Sequence, residues 1–386
     1  MSRFSLATLM FFSALLWAIS VNISLVSSGW LTSLGFFYFS VFSPIMDFIL
    51  PRDKQNPINS SEETELRNHK YFDIVLFSVI PIILFTIHNS VKFTAEFLGG
   101  NSLVEIKNNL ASKSFIEWIT FFIQWLGIAT YMGGGVINMG HELGHRVSSW
   151  QRYLGKFLLF TSLRMSFYIE HNWGHHKDVS TPLDPASANK WEIFWFFWPK
   201  SLFNTWLNSF KIQFRLLKAR KSSFFSVYND AFWNVFIQWS AIGLIGYIFG
   251  LNYALAFIII GQGGALVLEG ANYIEHYGLR RKLLDNGNYE RTLPIHSWNA
   301  NHLWTNLMLY NLMRHSDHHF ISDRPYQILR DYKETQVPML PLAYTGMVIP
   351  ALFFPPLYFA MMHPKLDYLE KNIEKMRETK FTHATL

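Results

Sequence analysis

The chain has 386 residues and no cysteine, is half hydrophobic, and devotes 17% of its positions to Phe, Trp and Tyr against only 16% to charged residues. Without cysteine there is no disulfide framework, Cys-ligated zinc, iron–sulfur cluster or thiol nucleophile, and the apolar content excludes a disordered or tail-like protein. The formal charge is +6, and a mean hydropathy of only +0.12 requires that much of the chain also meet water.

The apolar residues fall in blocks of about twenty, the length that crosses a bilayer as a helix. Six such runs predict an all-α integral membrane protein: Leu6–Val26, Trp30–Leu50, Tyr71–Val91, Phe115–Met139, Ala231–Gly250 and Tyr253–Ala271. The first, with Arg3 before it and Ser27-Ser28-Gly29 after it, has the outline of a signal peptide but is longer than a typical apolar core, and another apolar run follows at once. It is therefore read as a retained helix. Gly133-Gly134-Gly135 in the fourth run would let a neighbouring helix approach closely. Phe36, Phe37, Tyr38, Phe39 and Phe42 could narrow a channel, although helix packing accounts for most of them. Trp191–Phe210 is aromatic but interrupted by Lys200 and Asn204, which suits an interfacial helix. Pro338–Met362 is apolar but broken by five prolines, which suits packing on the bilayer surface or the catalytic portion. The tail after Lys365 is charged, helical in pattern and peripheral.

Basic residues set the orientation. With the N-terminus inside, the outer segments carry only Lys92, Lys107 and Lys113. The expectation is a single domain over 1–386, with catalytic segments 140–230 and 272–364 in the cytoplasm. Net positive charge on the inner face suits docking of a small acidic carrier, and positive-inside topology with anionic lipid explains it equally well. No nucleic-acid partner is expected.

Nine of the 15 histidines fall in four clusters. These are His141-Glu142-Leu143-Gly144-His145, then Glu170-His171-Asn172-Trp173-Gly174-His175-His176, then Glu275-His276, and last Arg314-His315-Ser316-Asp317-His318-His319. On a helix, positions i and i+4 share a face. His141 and His145 then converge, as do His171 and His175, with His176 offset toward a neighbouring point; His315, His318 and His319 repeat the pattern. The first cluster follows the fourth helix and His276 follows the sixth, so all nine can meet at one place just inside the membrane face. Nine imidazoles are too many for one four-coordinate ion and suit two. Zinc prefers four ligands, whereas imidazole-rich sites with open positions suit iron. Glu142, Glu170, Glu275 and Asp317 adjoin these histidines and Asp184 follows nearby; such acids usually hold the second ring N–H of a metal-bound His. His296 and His302 fit structural roles, and His69, His88, His363 and His383 are ordinary histidines.

Two other functions meet parts of this pattern. His141-Glu142-Leu143-Gly144-His145 satisfies the H-E-x-x-H signature of a zinc metalloprotease, but that leaves the other clustered histidines unexplained. A metal transporter would hold its ligands near mid-bilayer, whereas these lie beyond the helix ends. A greasy substrate arriving from lipid and oxidised at a diiron site accounts for more.

At these clusters the sequence resembles the bacterial integral-membrane alkane 1-monooxygenases, within the wider class of membrane fatty-acid desaturases and hydroxylases. HELGHR (141–146), EHNWGHHKDVSTPLDPAS (170–187), NYIEHYGL (272–279), SWNANH (297–302), RHSDHH (314–319) and RPYQILRDY (324–332) carry the likeness. It spans the end of the second helix at Pro44–Asp47 to about residue 364, and NYIEHYGL separates this family from plain desaturases. Arg146 stands where Lys is frequent. The resemblance implies a non-haem diiron centre held by His141, His145, His171, His175, His176, His276, His315, His318 and His319. It implies hydroxylation of the terminal methyl of n-alkanes to primary alcohols, one oxygen of O2 entering the product and the other leaving as water. Related enzymes act on aryl methyl groups or fatty acyl chains. It further implies the bacterial inner membrane, and electrons from rubredoxin reduced by a flavoprotein. A built-in electron route is not apparent: no phosphate-binding loop exists, and Gly261-Gln262-Gly263-Gly264 lies inside a predicted membrane helix.

Overall fold

In the computed structural model, which describes residues 2–379 and 381, helices make up the regular structure and only two isolated β-bridges occur among the described residues. His383 lies outside them. Six helices are long and apolar enough to cross a membrane: Arg3–Val26, Gly29–Ile49, Lys70–Leu98, Phe115–Gly144, Asp230–Phe249 and Leu251–His276. The chain is thus an all-helical, multi-pass membrane protein.

Three spans depart from straight α-helix for local reasons. The third breaks at Val79, just before Pro81, whose ring nitrogen has no hydrogen to donate. The second contains a π-helical turn over Tyr38–Phe42, where the Ser43 hydroxyl donates to the Tyr38 carbonyl at 2.7 Å. The fourth opens on a Ser114/Glu117 capping box, passes through a π-turn over Tyr131–Ile137 and returns to α-helix for Asn138–Gly144. Such turns concentrate at functional sites.

The glycine run closes the fourth span on the sixth. A Cβ on Gly133 would lie 2.6 Å from Val267, and one on Gly264 2.8 Å from Met132. Gly134 faces the Trp17 ring and Leu309. Trp17 is buried and stacks on Phe39. The aromatic residues of the second span therefore divide their duties, with Phe39 reaching a cavity described below.

Outside the spans, Phe194–Ala219 is one helix of 26 residues, longer than the aromatic stretch that suggested it. Pro338–Met362 resolves into the short helix Tyr344–Phe353 and the start of Pro355–Arg377. The latter is tied back by Arg377 Nη2 to Glu290 Oε1 at 2.8 Å. Spans one to four and six pack together, and the fifth lies along the sixth while burying only Ala231 and Asn234.

Candidate metal centre

The histidines come from four short supports at one end of the bundle. His141 and His145 occupy the last turn of the fourth span and its C-cap, His276 is the final residue of the sixth, and His315, His318 and His319 lie on the helix His315–Phe320. His171–His175 is a π-turn. That helix His315–Phe320 is anchored through Arg314, fully buried, which reaches Asp53 Oδ2 at 2.6 Å and the Leu329 carbonyl at 2.6 Å. Asp317 receives Arg324 Nη1 at 2.5 Å, the Tyr332 hydroxyl at 2.7 Å and the Arg330 backbone N–H at 2.9 Å, fastening segment 324–332 against it.

Two groups result. One ring nitrogen each from His141, His145, His171, His176 and His318 lies within 4.8 Å of all the others, and the same holds for His175, His276, His315 and His319. Simple α-helical spacing pairs His171 with His175. Instead His171 joins His176, their Nε2 atoms 3.0 Å apart, and His175 goes to the other group. The cause is the π-turn, which bonds i to i+5 and so aligns positions five apart. His315 and His319, four apart, do share a group, and His318 crosses to the first.

The nitrogen spacing fits a bound cation better than hydrogen bonding. His141 Nε2 lies 2.8 Å from His171 Nε2, 3.0 Å from His318 Nε2 and 3.2 Å from His145 Nε2. A neutral ring offers one donor and one acceptor, so a single nitrogen cannot serve three such partners. Atoms spaced this way surround a common point about 2 Å from each, the reach of a metal–imidazole bond. His175 Nε2 and both nitrogens of His319 are buried with no hydrogen-bond partner, which leaves one nitrogen of each ring free to ligate.

Electrostatics keep most rings neutral, the form that ligates. Burial, reinforced by neighbouring rings, pushes His171, His176, His315, His318 and His319 well below the ordinary imidazole range. Burial takes His145 to about 3. His175 is the exception: burial opposes its charge, but Asp184, with Oδ2 3.0 Å from Nδ1, lifts it to about 9. A cation on the free Nε2 serves the same carboxylate. Asp184 is itself fixed by Ser187 Oγ at 2.5 Å and the Ala186 N–H at 3.0 Å.

Of the five acids, Asp184 and Glu275 face imidazoles, Glu275 Oε2 lying 3.3 Å from His315 Nε2. Glu142 is engaged by Arg146 Nη2 at 2.9 Å and the Tyr326 N–H at 3.2 Å, an arrangement unlike a protease base. Glu170 accepts from Asn208 Nδ2 at 3.1 Å, and burial followed by Asp184 raises it to about 8. Asp317 holds the segment named above. His69, His88, His296, His302 and His363 stand outside both groups. His296 bonds Glu290 at 3.2 Å, and His363 accepts or donates to the Tyr277 hydroxyl at 3.0 Å.

A narrow cavity of about 60 Å3 runs into the bundle from this centre. Its inner walls include Phe39, Gly133, Gly134, Val267, Leu309 and Val348, while His141, His171, His315 and Glu275 line its metal end. Asn138, Asn272 and Tyr344 also line it, and their role had no signal of its own in the sequence beyond proximity to the motifs.

Residues 116–358 match the fatty acid desaturase family. The chain is 36% identical over 325 residues to alkane 1-monooxygenase 2 of Pseudomonas aeruginosa, covering 84% of this chain and 81% of that protein. It is 35% identical over 349 residues to alkane 1-monooxygenase of Acinetobacter baylyi, covering 88% and 79%. It is 33% identical over 344 residues to alkane 1-monooxygenase 2 of Alcanivorax borkumensis, covering 88% and 85%.

Proposed function

The chain belongs to the alkane 1-monooxygenases of the fatty acid desaturase family, and on that premise we propose that it converts n-alkanes to primary alcohols at two iron ions. One O2, two electrons and two protons are consumed for each alcohol and water formed. The five-imidazole group would hold one ion and the four-imidazole group the other. Iron held there supplies the O2 activation that attack on a strong C–H bond requires. Asp184 would fix the tautomer and orientation of His175, and Glu275 would stand beside His315.

The observation that carries this reading is the apolar cavity that ends on rings from both groups. A hydrocarbon lying between Phe39 and Leu309 has nothing to hydrogen-bond and is held by contact alone, and its terminal carbon is delivered to the imidazole end. The same walls exclude water from the reacting end. We assign the histidine end to the cytoplasmic face of the bacterial inner membrane from the distribution of Lys and Arg.

Electrons would come from rubredoxin reduced by a flavoprotein, since the chain has no cysteine for a cluster. Lys177 directly follows His176, and Arg281 Nη1 holds the Lys177 carbonyl at 2.7 Å. One cation thus follows His176 in the chain and a second is bonded to the backbone beside it, and an acidic carrier would dock there.

Iron analysis and product analysis on the purified protein test the proposal. With rubredoxin, its reductase and a panel of n-alkanes and aryl-methyl compounds, the expected result is about two irons per chain and a 1-alkanol carrying one 18O from 18O2. A single zinc, or no O2-dependent alcohol, would overturn it; preference for the aryl methyl groups would move the substrate class.

A further inference from the structure

The sixth span buries a carboxylate that neither histidine group uses. Glu269 has no exposed surface, and an ionisable group at membrane depth is costly and usually tied to function. Its partners are Arg164 Nη2 at 2.8 Å, Ser201 Oγ at 2.6 Å and Asn272 Nδ2 at 3.2 Å. Asn272 lines the cavity that reaches the histidines, and Arg164 lines a different one. A polar line of Asn272, Glu269 and Arg164 therefore crosses the wall between two spaces.

The second space is a cavity of about 420 Å3 between the fifth and sixth spans and the helix Phe194–Ala219, open on the side where Phe203 and Trp239 are exposed. Leu202, Phe203, Trp206, Trp239 and Ile242 give it apolar walls. Two donors at its lining, Arg164 Nε and Trp198 Nε1, are buried without an acceptor. A buried donor left unpaired forfeits its hydration without replacement, so each calls for a partner that the polypeptide does not provide. Gln262, in the middle of the sixth span, also lines this space. The charge on Arg164 is already matched by Glu269. What remains is hydrogen-bonding capacity without net charge, which suits a neutral hydroxyl and not a carboxylate or a phosphate.

We infer that this cavity is a binding site for long-chain primary alcohols, whose hydroxyl oxygen is the acceptor that Arg164 Nε and Trp198 Nε1 lack. The identification of that alcohol as the enzyme's own product rests on the function proposed above; the site then receives it one wall away from where it forms. An alkane has no atom that satisfies these donors, so the two cavities sort substrate from product by one oxygen.

Photolabelling of the iron-loaded protein in lipid nanodiscs, with a 1-dodecanol analogue carrying a mid-chain diazirine, tests this. Labelled peptides are expected to contain Phe203, Trp206 or Trp239. Unlabelled 1-dodecanol is expected to compete about tenfold better than dodecane or dodecanoate. Trp198→Phe keeps the ring and loses the donor, and is expected to weaken that competition about fivefold, the equivalent of one neutral hydrogen bond of roughly 1 kcal/mol. Absence of label from this cavity, equal competition by the alkane or the carboxylate, or unchanged competition in Trp198→Phe would each overturn the assignment. The labelling needs no electrons and no turnover. Loss of alkane oxidation with labelling intact would strike the proposed reaction alone.

Discussion

The five-imidazole and four-imidazole groups differ in what stands behind the rings. His175 and His315 of the smaller group face Asp184 and Glu275. Among the described residues the larger group faces no carboxylate within ion-pair distance, and its acidic neighbours Glu142 and Glu170 bond elsewhere. One group compensates for fewer nitrogens with nearby negative charge; the other has a nitrogen to spare. The difference teaches that two metal positions built from one residue type need not be equivalent, and that the acid adjoining a histidine in sequence is a poor guide to its partner in space.

Removal of rings probes this most strongly. His276→Ala leaves three nitrogens in the smaller group and is expected to empty that position and lower alcohol formation by more than the roughly 100-fold that outer partners cost. His145→Ala leaves four nitrogens in the larger group and is expected to retain near-normal iron. Iron content per chain and product formation read both, and equal iron loss in the two variants would break the comparison.

Next in size is the effect of Asp184→Asn, expected to weaken iron binding or activity about 10–100-fold. In the metal-free protein His145 and His175, one from each group, should also answer pH with opposite sign. His145, held near about 3, contributes stability that is present above the unfolded value of about 6.5 and is lost as pH falls toward 3. His175, raised to about 9, contributes stability present below about 6.5 and lost as pH rises through 9. Melting of the metal-free protein is therefore expected to peak near about pH 6.5, and Asp184→Asn to flatten only the alkaline limb. Loss of the acidic limb instead would reverse the assignment. The smallest effect belongs to Glu142→Gln: about 1 kcal/mol of stability through Arg146, by denaturant titration, with iron content unchanged. A fall in iron there would put Glu142 among the carboxylates that serve the metals.

Six membrane helices and the meeting of the histidines were legible because bilayer thickness and helical spacing leave direct marks on a sequence. The division of nine rings into five and four was not. It depends on a π-turn at His171–His175, and one extra residue per turn alters no composition and no hydropathy. The partners of Glu142 were hidden for another reason: Tyr326 lies far along the chain, and only folding brings its N–H to the carboxylate. Hydropathy likewise made the fifth and sixth spans look alike. Their difference lies in Gly261, Gly263 and Gly264, which admit neighbours to the sixth, while the fifth presents bulk such as Trp239 and Tyr247 outward.

At Gly133 and Gly134 the hydrocarbon cavity is bounded by main chain, with Val267 and Trp17 already at the limit of approach. A side chain can rotate out of the way of a thick guest; a backbone crossing cannot without parting two helices. The bore at that level is a property of the scaffold and not of rotamers, so girth is a harder constraint there than reach.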